Sequence, residues 1–149
     1  MKQERYELES AQSLTVFEFV SVGKKGKIHK VIQFSPTNLK DFYNLGFGDR
    51  NEQTGEIDDL SISNNGDTQK VLATVAFSVI AFIDKHPEAW VYATGSTPSR
   101  TRLYQMGITN QLIEILNNFD VYGLYENKWE EFIPNKKTYQ AFLIRRKSL

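Results

Sequence analysis

The stretch from Asp67 to Pro87 limits the fold more than any other. Val71, Leu72, Val75, Ala76, Val79, Ile80, Phe82 and Ile83 recur at helical spacing and nearly encircle the axis. A helix with so little polar surface has to be covered on most sides, which predicts a central, buried helix. Asp67 is placed to cap its start, and it should stop at His86 because Pro87 disfavours helical conformation just before itself. The run is broken by Thr74 and Ser78 and is too short to span a bilayer.

Strand signals lie on both sides of that helix. Residues 15 to 22 alternate and are rich in β-branched and aromatic types, and Gly23-Lys-Lys-Gly26 leads into a second run from Lys27 to Phe34, the signature of a hairpin. Arg5 to Glu9 alternates Tyr6 and Leu8 with charged residues and reads as an edge strand. Pro36 ends the second strand, since it lacks a ladder donor. From Thr37 to Asp67 the chain gathers Gly46, Gly48, Gly55 and Gly66 with many Asn and Asp and reads as loop, with a short strand near Ile57 to Ile62. Trp90 to Ala93 is strand-like, and a second helix starts near Pro98, with Gly107 expected to break or bend it and Thr109 to cap a continuation through Leu112, Ile113, Ile115, Leu116 and Phe119. Val121 to Tyr125, Trp129 to Ile133 and Thr138 to Arg145 read as a closing meander.

Strands, two helices with one strand between them, and strands again give an α+β fold: a largely antiparallel sheet of about six strands with two main helices packed on one face. At 149 residues the expectation is a single domain, 1–149, burying about 70% of its unfolded surface. The absence of cysteine removes disulfides, thiolate metal sites and cysteine nucleophiles, so any chemistry must come from oxygen and nitrogen groups. No signal peptide is visible behind Met1-Lys-Gln-Glu-Arg5, and a cytoplasmic location with no membrane partner is expected. Net charge is zero, but residues 1 to 99 carry 10 Lys/Arg against 13 Asp/Glu, while 100 to 149 carry 8 against 5. That tilt suits an anionic partner near the C-terminal half yet falls short of a dedicated nucleic-acid binder.

The candidate site is the run Thr94-Gly-Ser-Thr-Pro-Ser-Arg-Thr-Arg-Leu-Tyr104. Thr97 suits the N-cap and Pro98 the first helical position, which puts Arg100 and Arg102 in or beside the first turn. Cations there oppose the helix dipole, by about 0.3 to 1 kcal/mol each at an exposed site, unless an anion sits among them. Ser96, Thr97, Ser99, Arg100, Arg102 and Tyr104 are therefore the expected ligand-binding residues, with phosphate or carboxylate as the anion. Arg100 and Tyr104, four apart, share a helical face and can address one ligand. The spacing is not that of a Walker loop.

Other candidates are weaker. The acidic loop from Asp49 to Asp59 only faintly suggests a calcium loop, because Leu60 stands where a bidentate glutamate is needed, and no metal or other cofactor is expected. His29 and His86 have no partner readable in the sequence, and a general base would have to be a carboxylate such as Glu18, Glu130 or Glu131, or a tyrosine. Lys136, Lys137, Arg145, Arg146 and Lys147, interleaved with Tyr139 and Phe142, have the make-up of a phosphate-tracking stripe, although solvated lysines, a charged terminus and core aromatics explain them better.

The run from Gly95 to Tyr104, followed by Tyr139-x-Ala-Phe-Leu-Ile-Arg-Arg-Lys147, resembles a family of small bacterial proteins of unknown function. That resemblance implies a bacterial, cytoplasmic protein and supplies no activity. Leu103-Tyr-Gln-Met-Gly107-Ile108 is also similar to a helix ending of the GNAT acetyltransferases. Their pyrophosphate loop begins with Arg or Gln, whereas the nearest stretch here, Tyr43 to Gly48, begins with Tyr and leads into an acidic loop. The expectation drawn from these residues is a domain that binds a phosphate-bearing ligand such as a nucleotide or nucleic acid. The alternatives are an acyltransferase-like or nuclease-like enzyme using the same pocket, and a protein-interaction module of a toxin–antitoxin type pair, whose signature would be an exposed apolar patch.

Overall fold

The computed structural model describes residues 4–10, 15–58 and 65–148. The hairpin forms where the alternation places it: β2 (Val16–Gly23) and β3 (Gly26–Pro36) pair antiparallel, from Val16 opposite Gln33 to Gly23 opposite Gly26. Gly26 closes the turn at φ +86°, a conformation that side chains rarely adopt. The edge strand is shifted from Arg5–Glu9: β1 (Glu9–Ser10) pairs with β2, while Tyr6 and Leu8 pack against the core.

The stretch expected to be loop holds a long inner strand, β4 (Phe42–Arg50). Its period of two is real, with Tyr43, Leu45 and Phe47 on one face, but Asn44, Gly46 and Gly48 on the other carry none of the usual strand side chains. Gly48 is needed because any Cβ there would strike the backbone of Asp58 on β5 (Ile57–Asp58), which pairs with β4. The remainder of the strand expected up to Ile62 lies outside the described residues.

After β5 come α1 (Thr68–Lys85), β6 (Trp90–Ala93), α2 (Pro98–Asn110), α3 (Leu112–Asn118), β7 (Phe119–Tyr125), β8 (Lys128–Glu131) and β9 (Ala141–Arg146). Among the described residues there are thus three helices rather than two, and nine strands rather than six, in one sheet of order β1-β2-β3-β4-β6-β9-β7-β8 with β5 on β4. Every pair is antiparallel except β4 with β6, which α1 joins as the crossover that a parallel pair requires. The closing strands are not a simple meander. β7 and β8 form a hairpin, but β9 inserts between β6 and β7, because Phe142 and Ile144 complete the apolar rows begun by Ala93 and Val91.

All strand residues of the core, among them Phe17, Ile32, Phe34, Leu45, Val91, Phe142 and Val121, lie on one face of the sheet, and the helices pack against it. α1 is buried on most sides, and it ends at His86 as the sequence predicts. Its Phe82 stacks on Phe34 at 4.2 Å and meets Tyr43 edge-on at 4.9 Å. Asp67 does not cap α1. Its carboxylate accepts hydrogen bonds from the Tyr6 and Ser21 hydroxyls instead. Gly107 neither breaks nor bends α2 to an end. It lies inside the helix, where a Cβ would come within 3.3 Å of Leu72, so its smallness sets the approach of α1 and α2, and the break falls at Gln111 rather than at a Thr109 cap.

On the opposite face Phe42 stacks on Trp90 at 5.4 Å, the Arg145 guanidinium lies 4.5 Å over the Trp90 ring, and Trp129 meets Tyr92 edge-on. None of these side chains belongs to the core cluster.

Candidate functional site

The turn between β6 and α2 is built as its sequence dictates. Thr97 is extended, at φ −136° and ψ 160°, and its hydroxyl accepts the Arg100 N–H at 3.2 Å, with Pro98 at the first helical position. The Gly95 N–H donates to the Thr101 hydroxyl at 3.0 Å, and that hydroxyl donates to the Thr97 carbonyl at 3.1 Å. The turn folds so tightly over the helix that a Cβ on Gly95 would sit 2.5 Å from the Cβ of Arg100.

This geometry divides the six expected residues. Arg100 and Tyr104 share a face, as their spacing requires, but that face points inward. Arg100 is only 8% exposed, and its Nη1 donates to the Phe47 carbonyl at 3.2 Å. Both line a chamber of about 60 Å³ with Lys30, Asp49, Asp67 and Leu72. Ser96, Thr97 and Arg102 line a separate outer cleft of about 320 Å³, together with Thr94, Thr138 and Gln140. Ser99 is exposed and lines neither.

The two compartments differ in electrostatics. In the chamber, Lys30 is 6% exposed and ion-paired with Asp49. The Tyr6 and Ser21 hydroxyls converge on Oδ2 of Asp67, and burial, followed by the Asp67 carboxylate, pushes the Tyr6 phenol above its ordinary pKa. In the cleft, Arg102 forms no ion pair among the described residues, and no carboxylate or histidine lines the wall. The Thr97 hydroxyl accepts from the helix and keeps its own proton to donate outward.

The chamber's other walls were not found from the sequence, although Lys30 carried a signal. It stands in phase with Ile32 and Phe34, on the face turned to the core, where a lysine is rarely found without a partner. Beyond the chamber, and sharing Leu72 and Tyr104 with it, lies an apolar cavity of about 40 Å³ lined by Val75, Val79, Ala93 and Ile108.

The basic stripe near the C-terminus does not form. Tyr139 and Phe142 are 2% and 0% exposed, deep in the core, because their strand phase and the preceding turn direct them inward. Lys137 bonds Glu130 at 2.9 Å, Arg145 lies 3.4 Å from Asp120, and Arg146 lies 3.9 Å from Asp84. The hydrogen bond from Lys137 holds the Glu130 carboxyl below its ordinary value, and Glu130 in turn holds the Lys137 ammonium above its own. Glu18 pairs with Arg50 on the surface, and His86 sits among the rings of Phe82 and Tyr43. Tyr43 to Gly48 lie within β4. No group of residues able to hold a metal ion occurs among those described, and none of the described helices is long and apolar enough to cross a membrane.

No curated protein and no solved structure matches this chain. A family model does match, over residues 2–147, and with that coverage the chain belongs to the family of unknown function DUF6934.

Proposed function

We infer that this chain is a binding domain for a phosphate-bearing ligand, a nucleotide or a nucleic-acid strand, received at the cleft beside the first turn of α2. One observation carries the reading: Arg102 faces that cleft near the positive end of α2 and has no ion-pair partner among the described residues. A cation so placed opposes the dipole, and a bound anion reverses the sign of that interaction. The hydroxyls of Thr97 and Thr138 along the same wall suit phosphate oxygens. Among the described residues no carboxylate or histidine lines the cleft, and the hydroxyl of the tyrosine on its wall, Tyr139, is engaged with Glu130, which favours binding over the acyltransferase-like and nuclease-like alternatives.

Titration calorimetry with inorganic phosphate, AMP and a short single-stranded RNA tests it. Affinity for at least one of them should fall about tenfold for Arg102→Ala and weaken further as salt rises from about 50 to 200 mM. Binding that ignores the substitution, or no binding to any of the three, ends the reading.

A second reading, the protein-interaction module, draws on the aromatic side chains outside the core. Trp129 is 42% exposed beside Tyr92, and the Phe42–Trp90–Arg145 stack has the composition that interfaces favour. A partner retained from native lysate by the wild-type chain and lost with Trp129→Ala would support it.

A further inference from the structure

An antiparallel sheet packed on one side usually turns a polar surface to water on the other. Here the outward side is aromatic. The register of β4, β6, β9, β7 and β8 brings Phe42, Trp90, Tyr92, Leu143, Tyr122 and Trp129 together on it, and none of them belongs to the core cluster. The helices take the core side, so five of these side chains stay half-buried among their own neighbours and Trp129 is 42% exposed. A contiguous patch of this composition marks a surface that another molecule covers.

Area, charge and shape select the occupant. The seven strands from β2 to β8 in sheet order present, at about 16 Å² of sheet plane per strand residue, a face of about 800 Å². Two such faces offer about 1,600 Å² between them, and a specific interface needs about 1,000 Å², so partial overlap is enough. The outward charges of these strands answer one another. Arg145 pairs with Asp120 and Arg50 with Glu18, and the two that remain, Lys27 and Glu131, are opposite in sign. No excess charge is left for a polyanion or an oppositely charged protein to meet. A twisted sheet is complemented by another of the same twist, about 10 Å away with its strands within about 30°, and the closed two-fold pair is the commonest assembly of soluble chains. We propose that this face binds a second copy of the chain, sheet on sheet about a two-fold axis, with Trp90, Tyr92, Leu143 and Trp129 buried between them. This rests on the interaction reading, for which it names the partner, and it leaves the phosphate cleft independent.

The chain has two tryptophans, Trp90 and Trp129, and both lie on this face, so their emission reads its burial directly. Sedimentation equilibrium on the full chain at about 100 μM should give twice the mass of one chain, and dilution to the monomer should shift the emission to the red. Leu143→Lys, in the middle of the patch, should weaken association at least tenfold with the far-UV circular dichroism unchanged. Should that variant not fold, Trp129→Ala at the rim carries the test and should weaken association several-fold. A monomer at every concentration up to about 1 mM, or a dimer whose strength ignores the substitution, overturns the proposal. A monomer that retains a different protein through Trp129 overturns it too, while upholding the interaction reading.

Discussion

Glu130, Lys137 and Tyr139 tie the hairpin at the sheet's end to the segment that follows it. Lys137 donates to both carboxylate oxygens of Glu130, and the Tyr139 hydroxyl adds a bond of 3.2 Å. The folded Glu130 pKa lies below the unfolded one, so its contribution is present above the ordinary glutamate value and is lost as pH falls through the lowered folded value. Lys137 is raised, so its contribution holds below the ordinary lysine value and is lost as pH rises through the raised one. Melting temperatures measured between about pH 3 and 7 should therefore fall less steeply on the acid side for Glu130→Gln than for the wild type. Site residues were legible to different degrees at this scale. The cap at Thr97 was visible because capping is local chemistry between neighbours in the chain. The division between Arg100 and Arg102 was not, because it depends on which side of α2 meets β4. Lys30 and Asp49 become partners only through the pairing of β3 with β4, in which Lys30 stands opposite Asp49.

Elements were readable where one face repeats strongly. α1 and the β2–β3 hairpin announce themselves through long apolar periodicities. β4 was hidden because its second face is made of Asn44, Gly46 and Gly48, none of them a strand-favouring residue, with Gly48 answering the close approach of the Asp58 backbone. Gly107 misled in the opposite sense: glycine in a helical pattern marks an end only when nothing packs on it, and here Leu72 does. Since the Thr97 hydroxyl is the side-chain cap of α2, Thr97→Ala should destabilise the fold by about 1 kcal/mol in urea unfolding, with an unchanged m-value.

At the scale of the molecule, the fold class and the dominance of antiparallel pairing followed from the order of elements, whereas the strand order did not, because nothing local says that β9 lies between β6 and β7. Phe82, fully buried, touches Phe34 of β3 and Tyr43 of β4 and so joins the first hairpin to the strands beyond it. Phe82→Ala should cost about 3–5 kcal/mol, read as a large drop in the urea midpoint of a single transition. The position of β9 also bears on how the chain is made. The hydrogen bonds that join β6 to β7 run through β9, the last of the strands in chain order, so the two halves of the sheet keep facing edges unpaired until that strand docks between them.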